Sequence, residues 1–489
     1  MNLKINNESF LYDAYGLVQA FYPGEKPSVY LNKELPELND SVDIEVGESS
    51  IQLLLDGEKA GEISIDASNR SDTKNRLKRL IYQALSEKTG EKLPWGTLTG
   101  IRPTKIPLKK YLNHESDEEV GNYMKETYLC SDAKISLATQ IAKRELAVVG
   151  DLTDKYALYI GIPFCPSICL YCSFSSYPFG LYKDKTETYL DALIKEIRFC
   201  GEHFKNKKLD TIYIGGGTPS SLSAAQMDRL IRAVKDSLDL SYLREFTVEA
   251  GRPDSITEDK LRVLANHDID RISINPQTMH QKTLDLIGRY HTIEQIKESY
   301  ALARQISDEA KLQGKKGFLI NMDLIVGLPG ESKEDVAYTL KQVKEMSPDN
   351  LTVHSLAIKR SSRLNIMWEE YEKDLFENSM DIMDMVYAVT NEMGMKPYYM
   401  YRQKQISGNL ENIGFAPEGK ECLYNIEIME ELCDIVATGA GSACKKVGKS
   451  TDGKTNLETK VSRCENVKDV DLYIERIDEM IQRKKELYD

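Results

Sequence analysis

The stretch "YALYIGIPFCPSICLYCSF", Tyr156 to Phe174, joins an apolar run to three cysteines that fall within eight residues. Its first seven residues, up to Ile162, are apolar on both faces and are stopped by Pro163, so they read as a strand buried on both sides. Five more strands of this kind follow: "TIYIG" (211–215), "EFTVEAG" (245–251), "RISINPQ" (271–277), "FLINMDLIVG" (318–327) and "NLTVHSLAI" (350–358). An amphipathic helical pattern follows each of the first five. Strands this apolar belong in a parallel sheet covered by helices, and right-handed crossovers curl such a run into a full or partial barrel. The predicted fold class is therefore α/β, a partial (β/α)6 TIM-like barrel.

Around the barrel the chain of 489 residues is long enough for further domains. Residues 1–150 read as an α+β domain, with short alternating strands ("VDIEV", "SIQLLLD", "GEISID") and helical patterns near 71–88, 116–128 and 131–149. Residues 151–365 form the barrel, and residues 366–489 a smaller C-terminal substrate or lid domain, beginning with a helical pattern from Glu369 to Met393 and closing with one from Asp469 to Tyr488. The segment Leu93 to Lys105 is a Gly- and Pro-punctuated loop. The composition, 41% hydrophobic and 29% charged, is that of a soluble globular chain, and no apolar run approaches the roughly 20 residues of a membrane span. The N-terminus lacks the apolar core of a secretory signal, which predicts a cytoplasmic protein whose thiols stay reduced. A formal charge of −13 argues against a nucleic-acid partner.

In such folds the chemistry sits at the C-terminal ends of the strands. The cysteine loop follows the first strand, "GGGTP" (215–219) the second, Glu249 lies near the end of the third, Gln277 at the end of the fourth and Gly327 to Pro329 after the fifth. Cys165, Cys169 and Cys172 are spaced C-x3-C-x2-C. A structural zinc site takes four ligands, and no second Cys/His pair lies at a matching distance. Thiolate-rich cages suit iron and sulfide, and a cubane held at three corners leaves one iron open to an exchangeable small molecule. Zinc and plain buried thiols remain as alternatives at this point. The other cysteines (Cys130, Cys200, Cys422, Cys433, Cys444, Cys464) have no ligand spacing and read as small buried apolar residues.

With these motifs the chain resembles the radical S-adenosylmethionine superfamily, and more closely the oxygen-independent coproporphyrinogen III oxidase family with its "LYIxIPFCxxxCxYC" signature, in a HemZ-like branch. The likeness is evident from Tyr156 to Ala440. It implies a [4Fe-4S] cluster on Cys165, Cys169 and Cys172, with S-adenosylmethionine as second cofactor. By the same resemblance Tyr159 and Gln277 act at the reacting end and also touch the cofactor. Tyr171 lies beside the adenine, and Gly216, Gly217 and Thr218 hold the methionyl ammonium. Glu249 bonds the cofactor, Arg289 offers a fork to its carboxylate, Asp323 meets the ribose and the backbone of Ala357 approaches the adenine.

The activity so implied is oxidative decarboxylation of coproporphyrinogen III to protoporphyrinogen IX through a 5′-deoxyadenosyl radical, in haem biosynthesis, with electrons from a donor such as flavodoxin or ferredoxin. Fixed cations should meet the carboxylates of a tetrapyrrole substrate, and Arg102, Lys105, Arg402 and Lys404 are the candidates. The pattern also departs from that of the oxidases. Gly161 stands where they often carry histidine, and Phe174 where they have a further cysteine, as in the haem-chaperone branch. The chaperone signature "HNxxYW" corresponds here to "YNIEIM" (424–429), without the histidine or the tryptophan. A haem-binding chaperone and a radical enzyme acting on RNA are the alternative readings.

Overall fold

Apolar runs alternating with helical periods fold, in the computed structural model, into two compact units, Met1–Lys143 with Tyr401–Glu411, and Arg144–Met400 with Asn412–Asp489. The structure describes residues 1–22, 25–37, 39–152, 154–174, 176–403, 406–448 and 461–489.

The first unit holds a five-stranded sheet in which Asn2–Ile5, a strand with no counterpart in the sequence reading, lies between Ser28–Leu31 and Ser41–Val46. Helices Glu8–Phe21 and Arg70–Thr89 place Leu17, Val18, Leu77 and Ile81 in one core with Leu3, Ile5, Ile44 and Leu53. A second buried cluster joins Trp95, Lys134 and Glu411: the indole Nε1 donates to Glu411 Oε2 at 2.7 Å and the Lys134 ammonium to Oε1 at 2.5 Å.

The second unit is built on the predicted barrel. Its six strands are Lys155–Ile162, Lys208–Gly216, Glu245–Gly251, Arg271–Ile274, Leu319–Val326 and Asn350–Ser355, each hydrogen-bonded in parallel to the next. Helices Thr186–His203, Ala224–Ser237, Glu258–Asn266, Ile293–Leu312 and Lys333–Met346 fill the crossovers. Capping boxes start three of them, at Ser223, Thr292 and Ser332, where a side chain and a backbone N–H satisfy each other at the exposed helix end. In the first strand Ala157, Leu158, Ile160 and Ile162 are all buried, which is the two-faced burial of a helix-covered parallel strand.

Residues after 365 supply five strands to this same sheet. Asp434–Thr438 pairs in parallel with the first barrel strand, and Asn412–Ala416 runs antiparallel to the sixth. Lys396–Tyr401 lies beyond Asn412–Ala416, and Ala443–Lys446 and Ser462–Glu465 beyond Asp434–Thr438, giving an eleven-stranded sheet. The helix expected over Glu369 to Met393 is broken: a short helix Trp368–Tyr371 is followed by a tight turn and a fresh start at Met380–Glu392, with Ser379 as N-cap. Asn378 explains the break, because its buried amide donates to Ser355 Oγ at 2.8 Å instead of extending a helix. The closing helical pattern is likewise divided at Arg476, into Val470–Glu475 and Ile477–Tyr488.

Candidate active site

The cysteine loop leaves the first barrel strand at Pro163 and is laced to its neighbours by backbone bonds. Gly217 N–H donates to Ile162 O at 2.8 Å and Thr218 N–H to Phe164 O at 2.7 Å, while Leu170 N–H reaches Ile287 O at 2.9 Å and Cys172 N–H reaches Cys169 O at 3.2 Å. Thr218 Oγ1 donates to Cys165 Sγ at 3.4 Å. The loop can lie this close because residues 216 and 217 have no side chains. Gly216 takes φ +118°, and a Cβ there would stand 2.8 Å from Ile162 O; one on Gly217 would stand 2.6 Å from Phe164 O and 2.9 Å from Cys165 Sγ.

Two arginines frame the loop, one just after the third strand and one past the short helix Gln281–Leu286 that follows the fourth. Arg252, which the sequence reading did not single out, donates through Nη1 to Cys169 Sγ at 3.7 Å and to Ser167 Oγ at 3.0 Å, and its other edge forks onto Asp254. Its position directly after "EAG", at a strand end, was the signal that could have found it. Arg289 donates to Tyr171 Oη at 3.3 Å, to Gly251 O at 3.2 Å and to Asn275 O at 2.6 Å, and its Nε has no partner within the protein. His291 is fully buried between them without a hydrogen-bond partner on either nitrogen. Burial and the Arg289 charge hold it down to about 3, so it stays neutral.

Deeper in the barrel Tyr159, Tyr213 and Tyr424 stack, with ring centroids 4.6 Å apart for Tyr213 and Tyr424 and 6.2 Å for each with Tyr159. Tyr213 Oη donates to Glu249 Oε1 at 2.6 Å. Burial lifts the Glu249 carboxyl to about 7 despite that bond, so it is poised between charged and neutral near physiological pH. Burial also pushes the hydroxyls of Tyr159, Tyr171 and Tyr213 upward, leaving them protonated donors. Gln277 has φ +67°, a left-handed conformation that a side-chain-bearing residue adopts at a cost; its N–H donates to Asp323 O at 2.9 Å and its O accepts from Ile325 N–H at 3.0 Å. Those two bonds hold the backbone in this conformation, and the buried side-chain Oε1 has no protein partner, as is also true of Asn275 Oδ1. Asp323 accepts from Asn321 Nδ2 at 2.8 Å. Ala357 follows the sixth strand, one residue after Leu356 N–H bonds Val326 O at 2.8 Å.

The expected site residues Tyr159, Tyr171, Gly216, Gly217, Thr218, Glu249, Gln277, Arg289, Asp323 and Ala357 thus all lie on the barrel strands or in the segments that follow them, with Cys165, Cys169 and Cys172 in the loop after the first strand. The candidate substrate cations are placed otherwise. Arg402 is a buried member of the first unit, with its guanidinium donating to Leu98 O and to Asn409, and burial lowers it to about 10. Arg102 and Lys105 belong to that unit too, and Lys404 lies outside the described residues.

These residues fit a cubane cluster with a bound amino-acid cofactor. Burial pushes the Cys165 thiol up to about 11 and the Cys172 thiol upward, so in the protein alone both are protonated and would release those protons on binding iron. Among the described residues no three His, Cys, Asp or Glu side chains converge as on a single metal ion, and a cubane meets each thiolate at a different iron. Arg289 Nε, Gln277 Oε1 and Asn275 Oδ1 are buried polar atoms with no partner in the protein, one donor and two acceptors of the kind that an amino-acid cofactor could satisfy.

Residues 159–343 match the family described as "Radical SAM superfamily". The chain is similar to the oxygen-independent coproporphyrinogen-III oxidase-like protein HemZ of Bacillus subtilis (strain 168), 42% identical over 417 residues that cover 84% of this chain and 80% of the relative. It is also similar to the heme chaperone HemW of Lactococcus lactis, 35% identical over 242 residues, 47% of this chain and 59% of the relative. Among solved structures, coproporphyrinogen III oxidase (HemN) from Escherichia coli, described as a radical SAM enzyme, superposes with a TM-score of 0.51 at 22% identity, covering 70% of this chain and 73% of that one, which supports the fold. The chain therefore belongs to the radical S-adenosylmethionine superfamily, whose members use a [4Fe-4S] cluster and S-adenosylmethionine, and within it to the oxygen-independent coproporphyrinogen III oxidase-like family of HemZ.

Proposed function

We propose that this chain catalyses the oxygen-independent oxidative decarboxylation of coproporphyrinogen III to protoporphyrinogen IX. The observation that carries the reading is the cysteine loop seated on Gly216 and Gly217 at the C-terminal mouth of a six-stranded barrel, in a chain 42% identical to a protein named as oxidase-like. When bound, the cluster and S-adenosylmethionine supply one-electron cleavage that delivers a 5′-deoxyadenosyl radical for hydrogen abstraction.

The chain's own residues bind, orient and seal. Cys165, Cys169 and Cys172 hold the cluster, and Gly216, Gly217 and Thr218 take the cofactor's ammonium. Arg289 Nε would be the donor for its carboxylate, Asp323 would take the ribose, Tyr171 and the Ala357 backbone the adenine, and Glu249 would complete the contacts. Tyr159 and Gln277 stand at the reacting end, with residues 366–489 contributing Tyr424 to the substrate side. A tetrapyrrole is the substrate, an electron carrier such as flavodoxin or ferredoxin the reductant, and the cytoplasm the site of action. Among the described residues no helix is long and apolar enough to cross a membrane.

A second reading is favoured by one specific likeness: the heme chaperone HemW is 35% identical over 242 residues, and Phe174, 75% exposed, stands where the oxidases carry a further cysteine. Anaerobic incubation of cluster-loaded protein with S-adenosylmethionine, a reductant and coproporphyrinogen III, read by mass spectrometry, separates the two. Loss of two CO2 units per porphyrinogen supports the oxidase. Haem retention without CO2 release replaces it with the chaperone.

A further inference from the structure

Six cysteines lie outside the cluster loop, and their sequence positions suggest no grouping. The structure brings two of them face to face. Ala443–Lys446 and Ser462–Glu465 pair antiparallel at one edge of the large sheet, with Cys444 directly opposite Cys464. Directly opposed residues of such a pair hold their Cβ atoms about 4.5–5.5 Å apart, and a disulfide takes about 3.5–4.5 Å, so a bond needs only a small closing of the two strands.

Their surroundings differ in a way that divides the labour. Cys444 is buried, with its sulfur against the backbone of Ala437 at 3.2 Å from N and 3.4 Å from O. Cys464 is half-buried on the edge strand and open to small solutes. The Cys444 hydrogen bond lowers the Cys464 thiol to about 7, aided by the Lys484 and Arg483 charges and opposed by burial and Glu196. The same hydrogen bond and burial raise Cys444. Lys484 is itself fixed at this spot, donating to Glu196 Oε1 and Asn466 Oδ1 at 2.6 Å each. Cys200, buried on the neighbouring helix, is pushed up to about 12.

We propose that Cys464 and Cys444 are a peroxide-reactive dithiol that forms a reversible disulfide across this edge hairpin. The Cys464 thiolate attacks one oxygen of hydrogen peroxide, the O–O bond breaks, and the departing hydroxide takes up a proton and leaves as water, placing a sulfenic acid on Cys464. The Cys444 thiol then attacks that sulfur; the S–O bond breaks, the S–S bond forms and a second water departs. Two thiols and one hydrogen peroxide become one disulfide and two waters, and an external dithiol reverses the step. None of the three loop thiols is consumed. The hairpin extends Asp434–Thr438, which pairs with the barrel strand that carries Tyr159 and feeds the cysteine loop, so the covalent tie lies two strands from the site.

The test uses full-length, cluster-loaded protein under anaerobic conditions, treated with hydrogen peroxide, quenched with a thiol alkylator and mapped by peptide mass spectrometry. The Cys444 and Cys464 peptides should appear linked, short by two hydrogens, at least about ten-fold faster than Cys130, Cys422 or Cys433 is modified, and dithiothreitol should separate them. In C444S the Cys464 sulfenic acid should persist and be trapped by dimedone, while in C464S Cys444 should stay reduced. Should either variant fail to fold, brief dimedone trapping on the unaltered protein must still label Cys464 before the link appears. Oxidation of Cys464 no faster than the buried thiols, its conversion to sulfinic acid without linkage, or a link to Cys200 instead overturns the proposal.

Discussion

At Gly217 a single hydrogen in place of a methyl group decides whether the cysteine loop can close over the second strand. Alanine would push its Cβ to 2.6 Å from a backbone oxygen, Phe164 O, and 2.9 Å from Cys165 Sγ, and the backbone cannot swing aside as a flexible side chain would. Gly217→Ala is expected to keep the overall fold and to lose about half or more of its iron after anaerobic reconstitution, measured as iron content and charge-transfer absorbance. Arg252 acts on the same loop through charge. A guanidinium 3.7 Å from Cys169 Sγ would stabilise negative charge on a reduced cluster held there, since hydrogen bonds to the sulfurs are one of a protein's means of setting a cluster's potential. Arg252→Met should bind iron yet show a more negative midpoint potential and slower S-adenosylmethionine cleavage; an unchanged potential would show that the arginine only braces Asp254. The cysteines announce themselves by spacing. Arg252, Tyr213 and His291 do not, because each matters through a neighbour brought close only by strand pairing.

Helices and strands carry a second group of consequences. Helix Asp132–Val149 was legible from its apolar period, yet it also buries Glu145 completely, with neither carboxylate oxygen hydrogen-bonded. Burial, with Glu430 adding like charge, raises this carboxyl well above 4.5, so the folded protein keeps a proton that the unfolded chain has released. Stability from this group is complete below the unfolded value and falls as pH rises toward the folded one. Glu145→Gln should therefore raise the melting temperature near neutral pH and lose that advantage near about pH 4. Equal gains at both pH values would mean that the glutamate's proton is not involved. The break at Asn378 and Ser379 was hidden for a related reason. Sequence period alone continues the helix, and it is the Ser355 hydroxyl on the sixth strand that gives the Asn378 amide a competing partner.

The whole molecule is discontinuous in sequence, since Tyr401–Glu411 is part of the same compact unit as Met1–Lys143. Arg402 and Glu411 are buried there, the first on Leu98 O and the second on Lys134 and Trp95. Deleting Met1–Lys143 alone would remove Leu98 O from Arg402 and both Lys134 and Trp95 from Glu411, and would leave Tyr401–Glu411 without the unit it belongs to. That truncation should give insoluble or readily proteolysed protein. Removing Tyr401–Glu411 as well, and bridging Met400 to Asn412 with a short flexible linker, should recover a cooperatively melting fragment. Strand and helix types, the order of the six barrel strands and the three cysteines followed from the chain alone, because period, turn residues and ligand spacing are local properties. Tertiary structure decided the rest: which arginine meets a sulfur, that the C-terminal strands flank the barrel on both edges, and that Cys444 faces Cys464. Those depend on which segments pair, some of them hundreds of residues apart, and a segment's own hydrophobic pattern gives its buried face without naming the distant partner that covers or continues it.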